Sequence, residues 1–179
     1  MLVLCMMFMV FCMMPSASAL TITPATIPQW TGNNNANMNA TEVATAVGYI
    51  GTLVELYKQD EGGPESGTFS SSYQTAFFNT PTDPKDATIT YVSGPIISGS
   101  PLYLYVKDGN HDPAWYIFNL SALAWNGTAT IDLNDFWPNG GAISHVTILG
   151  PTSVPEPTTL LLLGFGLVGL AGIGRKLKK

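Results

Sequence analysis

Past residue 12 the chain has no cysteine, since Cys5 and Cys12 are the only two in 179 residues. Both fall within an apolar leader, so the remainder can form no disulfide, no thiolate metal site and no cysteine nucleophile. Arginine is absent before Arg175. Between Leu20 and Ser153 only Lys58, Lys85 and Lys107 stand against eleven acidic residues, a net charge of −8. A body with no basic face cannot neutralise phosphates, which excludes nucleic acid as a partner. Histidine is scarce as well, with His111 and His145 the whole supply. A general base needs an oriented partner and a nucleophile. Ser144 beside His145 points to the other face of a strand, and no Gly-x-Ser-x-Gly elbow occurs. A glycosidase would need two acids facing each other about 5 to 9 Å apart, and no pair stands out. The expectation is a protein that is not an enzyme, with no catalytic residue and no resident cofactor.

What is present begins with the leader. Leu2 to Met14 is continuously apolar, and Ala17-Ser18-Ala19 places small residues at minus three and minus one. Residues 1–19 therefore read as a secretory signal peptide cut after Ala19, giving a mature start at Leu20. No Lys or Arg precedes the apolar run, so the usual positive flank is missing and Met1 need not be the true start. Cys12 lacks the small residues of a lipoprotein site ahead of it.

The other end has three parts in fixed order. Val154-Pro155-Glu156-Pro157 is stiff and acidic, because each proline fixes φ and Pro157 pushes Glu156 out of the α region. Thr158 to Gly174 then runs seventeen residues without an ionisable side chain. As a helix it would reach about 26 Å, just enough to cross a bilayer core of about 30 Å. Arg175, Lys176, Lys178 and Lys179 follow, a basic end that holds the cytoplasmic side. The order predicts a membrane helix over 158–174 with an extended tripeptide at the outer membrane face.

This tail resembles the PEP-CTERM sorting signal: Val-Pro-Glu-Pro, a membrane-spanning run, then basic residues. The resemblance implies recognition by an integral-membrane exosortase, transient anchoring in the inner membrane and cleavage near the motif. The body would pass to the cell surface or extracellular matrix of a bacterium that makes exopolysaccharide, as a structural or adhesive component of the biofilm. Part of the body is similar to a recurring group of PEP-CTERM proteins, through Val106–Tyr116, Trp125–Thr128 and Phe136–Val146. That likeness brings no catalytic residue with it.

The body, residues 20–153, suits one domain with its own core. Leu20 to Ile27 is Thr/Ile-rich but broken by Pro24 and Pro28, fit for an edge strand. Val43, Ala46, Val47 and Ile50 recur at helical spacing, with Asn39 or Thr41 as N-cap and Gly48 or Gly51 as the stop. Thr52 to Lys58 turns strand-like. Five segments rich in β-branched and aromatic residues then follow: Thr88–Ser93, Leu102–Lys107, Ala114–Asn119, Thr128–Leu133 and Ile143–Leu149. Gly, Pro, Asn or Asp turns separate them. The fold expected is mainly β, a small antiparallel sandwich-like domain with one short N-terminal helix, followed by the C-terminal membrane helix.

Two constellations bear on binding. Asp108, Asn110 and Asp112 place oxygen ligands at alternate positions, like the first half of a calcium loop. Pro113 stands where an EF-hand needs Gly and Asn119 where it needs an acid, so the choice lies between a looser calcium site, with Asp132 or Asp135, and a plain Asp-Gly turn. Trp115, Trp125 and Trp137, with Tyr116 and Phe136, read either as a glycan-stacking face suited to exopolysaccharide or as core. Exposure of the indoles discriminates. Oligomeric state is not written in these residues.

Overall fold

The computed structural model describes residues 19–34, 37–78, 84–108 and 111–151. The leader through residue 18, the sorting motif, the apolar run 158–174 and the basic end lie outside the described residues. Among the described residues, no helix is long and apolar enough to cross a membrane.

In chain order the elements are β1 (Leu20–Ile22), β2 (Gln29–Gly32), α1 (Ala40–Val47), β3 (Leu53–Asp60), β4 (Glu65–Ser66), β5 (Tyr73–Phe78) and β6 (Asp86–Tyr91). They continue with β7 (Tyr103–Lys107), β8 (Trp115–Asn119), β9 (Ile131–Leu133) and β10 (His145–Pro151). A four-stranded sheet has the order β1-β9-β6-β5, and a six-stranded sheet the order β2-β8-β7-β10-β3-β4.

Side-chain alternation decides which face each residue serves. In β7, Leu104 and Val106 join one apolar cluster with Val146 and Ile148 of β10, Tyr116 and Phe118 of β8, and Tyr57 of β3. Ile22, Tyr73, Ala87, Ile89, Ile131 and Leu133 of the smaller sheet complete that cluster, which is the core between the two sheets. The alternate residues Tyr103, Tyr105, Trp115, Ile117 and Leu149 face the other way, under Val43 and Ala44 of α1. The larger sheet is therefore covered on both faces, which is why β7 is buried at every position. The smaller sheet is covered on one face, and β9 alternates buried, half-buried, buried.

Helix α1 begins where the sequence places it. The Asn39 side chain accepts from the amides of Thr41 and Glu42, while Glu42 accepts from the Asn39 amide at 2.7 Å, a complete capping box. It ends at Gly48, whose φ of 69° only glycine adopts freely.

Three expectations need correction. The sandwich is not purely antiparallel: β1 pairs with β9 in parallel, Leu20 opposite Ile131. The segment Thr128–Leu133 supplies only the three-residue β9. Strands β2, β4 and β5 were not expected from the pattern at all. The edge-strand reading near Leu20 holds, because β1 lies at the rim of its sheet.

Candidate functional site at the exit of the last strand

β10 is the strand from which the chain runs into the sorting motif. It is hydrogen-bonded on both sides, with His145–Pro151 antiparallel to β3 and His145–Leu149 antiparallel to β7. A bulge between Ile148 and Leu149 lets Leu56 and Tyr57 both enter the inner core. The strand ends at Pro151, three residues before Val154. The motif thus follows directly from an interior strand.

At the opposite end of the larger sheet lies a group of titratable side chains. His145 is 5 % exposed, beside Tyr105 at a ring separation of 5.4 Å. Its Nδ1 is 3.8 Å from the Asp60 carboxylate, which also pairs with Lys58 at 3.1 Å. Burial, then Lys58, push the imidazole down to about 4, with Asp60 opposing and Lys107 adding to the fall. Lys107 is buried too, its ammonium donating to the Asp108 carbonyl, and desolvation lowers its pKa against the pull of Asp108.

Asp108 is 2 % exposed and engaged. Its Oδ2 accepts the Ala142 amide at 2.7 Å and lies 3.2 Å from His111 Nδ1. A carboxylate that orients an imidazole in this way is a pairing missed when Asp108–Asp112 was read as a turn or a calcium loop. The signal available was only the i, i+3 spacing. Among the described residues, neither imidazole has a hydroxyl or thiol in hydrogen-bonding range, so a nucleophile is not brought to either. Asn110 lies outside the described residues. Among the described residues, no group of three or more His, Cys, Asp or Glu side chains is placed to hold a metal.

The three indoles resolve towards core. Trp115, Trp125 and Trp137 are 8 %, 8 % and 4 % exposed. Trp115 lies under the helix-side cluster, whereas Trp125 and Trp137 belong to the inner core. Trp125 Nε1 donates to the Ala129 carbonyl at 2.7 Å and Trp137 Nε1 to the Pro113 carbonyl at 2.6 Å. Tyr116 meets Phe136 and Trp137 edge-on at 5.4 and 5.3 Å. Buried and split between two clusters, with Trp125 and Trp137 bonded to the chain's own carbonyls and Trp115 Nε1 without an acceptor among the described residues, these rings form no stacking face for a sugar.

The sorting motif Val154, Pro155, Glu156 and Pro157, the basic residues Arg175, Lys176, Lys178 and Lys179, and Ala17 of the leader lie outside the described residues; Ala19 is exposed. Searches of curated proteins and of solved structures each gave no match. Residues 153–176 match the family model described as the PEP-CTERM protein-sorting motif, which takes in the Pro-Glu-Pro core, the apolar run, Arg175 and Lys176. The chain is therefore a PEP-CTERM sorting domain-containing protein, an exported protein that associates transiently with the membrane and is sorted by an exosortase.

Proposed function

We propose that residues 20–153 form a structural or adhesive domain without catalytic activity, released to the cell surface or the exopolysaccharide matrix when exosortase cuts near Val154–Pro157. The observation that carries this reading is the sorting motif at 153–176, joined to β10 by a short connector. It is supported by the chemistry of the body, which offers a paired imidazole and carboxylate at His111 and Asp108 but no nucleophile beside them among the described residues. A carbohydrate-binding module built on Trp115, Trp125 and Trp137 has no support from their burial. Calcium has no role in the proposal.

The test is made in the source cell. Replacing Pro155, Glu156 and Pro157 by alanine should leave the body tethered in the inner membrane, and mass spectrometry of the released wild-type protein should find no peptide beyond the motif. A surface form that still ends in Lys179 would overturn the proposal.

A further inference from the structure

The end of the domain at which β10 leaves has an unusual surface. Strand register gathers Pro151 of β10, Leu53 of β3, Tyr103 of β7, Asn119 of β8 and Gln29 of β2 along one edge of the six-stranded sheet. The loops at that end cover residues 23–28, 48–52, 92–102 and 120–130; the first, third and fourth are tied together by Asn119 N–H to the Pro28 carbonyl, Leu120 N–H to the Leu102 carbonyl and Leu102 N–H to Ser121 Oγ. None of those four loops contains Asp, Glu, Lys, Arg or His.

The same loops hold most of the exposed apolar bulk. Ile50 is 100 % exposed, Ile27 75 %, Val92 54 % and Ile96 43 %; among the described residues only Phe78 joins them as an exposed large hydrophobic, at the far end of β5. Ile27 precedes β2 and Ile50 precedes β3, four strand spacings apart. At about 4.8 Å per spacing they flank the exit of β10 at a separation of about 19 Å. Exposed apolar residues gathered round one uncharged edge mark a contact surface, whereas scattered ones do not.

Charge is concentrated at the other pole. β3 ends at Asp60, β7 at Lys107, β10 starts at His145, β4 at Glu65 and β6 at Asp86, and Glu61, Asp108 and Asp112 lie in the adjoining loops. The seven residues of β10 separate the poles by about 23 Å, more than two Debye lengths at physiological salt. Glu55, exposed and two residues along β3 from Leu53, lies within a Debye length of that edge, so an anionic lipid surface there would feel it but little of the charge gathered at the other pole. The connector sets the reach: six residues, 152–157, join Pro151 to the apolar run, and an extended chain allows about 25 Å at most.

Resting on the membrane-tail reading proposed above, we propose that this uncharged edge, with Ile27, Ile50, Val92 and Ile96, lies on the lipid headgroup surface before cleavage and holds the motif against the membrane. The experiment uses the full chain, with C5S and C12S, in phosphatidylethanolamine/phosphatidylglycerol vesicles whose acyl chains carry bromine. A bimane probe is attached singly through Ile50→Cys, Ile96→Cys, Glu65→Cys or Leu163→Cys. Bromolipid should quench the probe at least twofold at positions 50, 96 and 163 and leave it unchanged at 65. Quenching at 163 without quenching at 50 and 96 overturns the docking proposal and leaves the membrane tail standing. Loss of quenching at 163 overturns the tail itself. Probes at 50 and 96 shielded from aqueous iodide but not reached by bromolipid would show a second copy on this edge and sink the lipid assignment. As a control, the triple variant Ile27→Ser, Ile50→Ser, Val92→Ser should unfold at the wild-type midpoint while the probe at 96 loses its quenching.

Discussion

At His145, burial beside Tyr105 and the neighbouring Lys58 and Lys107 hold the imidazole neutral well below its ordinary range, down to about 4. In the unfolded chain the same group titrates near 6.5, so between these values the unfolded state binds more protons. The contribution is present above about pH 6.5 and is lost as pH falls towards 4, by up to about 3 kcal/mol. Denaturant unfolding at pH 7, 5.5 and 4.5 should show His145→Gln losing less stability than wild type over that interval; parallel profiles would contradict the burial argument. Gly141 makes a second residue-scale case. Its φ is 106°, and an added Cβ would meet Asp108 Oδ2 and the His111 ring. Gly141→Ala should therefore cost about 1 to 3 kcal/mol, read as a lower thermal midpoint. The Asp108–His111 pair could not be seen in the sequence, where an aspartate three residues before a histidine is equally a turn. The amide that fixes Asp108 as an orienting group belongs to Ala142, more than thirty residues away.

Among the elements, β5 is the one on which the two long uncharged loops are fastened. Tyr73 Oη donates to the Gly127 carbonyl at 2.7 Å and accepts the Ile97 amide at 2.8 Å, both buried. Tyr73→Phe leaves a donor and an acceptor unsatisfied and should cost about 1 to 3 kcal/mol, more than the ordinary loss of one exposed hydroxyl. Chemical denaturation checks the size, and a change below a few tenths would show the loops are held by other contacts. Yet this strand, like β2 and β4, was hidden from sequence. Its pattern, Tyr-Gln-Thr-Ala-Phe-Phe, follows a serine run and lies at a sheet edge, where outward positions are free to be apolar and the alternation is blurred. Among the legible strands, β6, β7, β8 and β10 carry β-branched and aromatic content bounded by turn residues on both sides, while β1, β3 and β9 overlap the segments Leu20–Ile27, Thr52–Lys58 and Thr128–Leu133 also read as strand. The α1 boundaries were legible for a local reason as well, since its cap and its stop are written within three residues of each end. The parallel pairing of β1 with β9 joins residues over a hundred positions apart and leaves no local trace.

For the whole molecule, the order of synthesis and the order of the sheet oppose one another. β10 is the last strand of the domain, yet it lies inside the six-stranded sheet and pairs with β3, some 85 to 98 positions earlier. It sends Val146 and Ile148 into the core between the sheets and Leu149 into the core under α1. Without it, β3 and β7 lose their shared partner, and both apolar clusters lose large side chains at several kcal/mol each. A chain stopped after Ser144 should therefore fail to fold. A chain stopped after Ser153 keeps every described strand and should show the thermal midpoint of the full chain within about 2 °C, because a change of 1 kcal/mol would move a domain of this size by about 2 to 8 °C. The contrast between these two truncations, followed by circular dichroism, separates the fold from the sorting signal by nine residues. It also fixes where trimming is harmless: a cut at Val154–Pro157 falls beyond Pro151, the end of β10, so a body released there keeps every described strand. Cooperative melting of the shorter chain would show instead that β3 and β7 close on each other, and that β10 is an accessory to a core already complete.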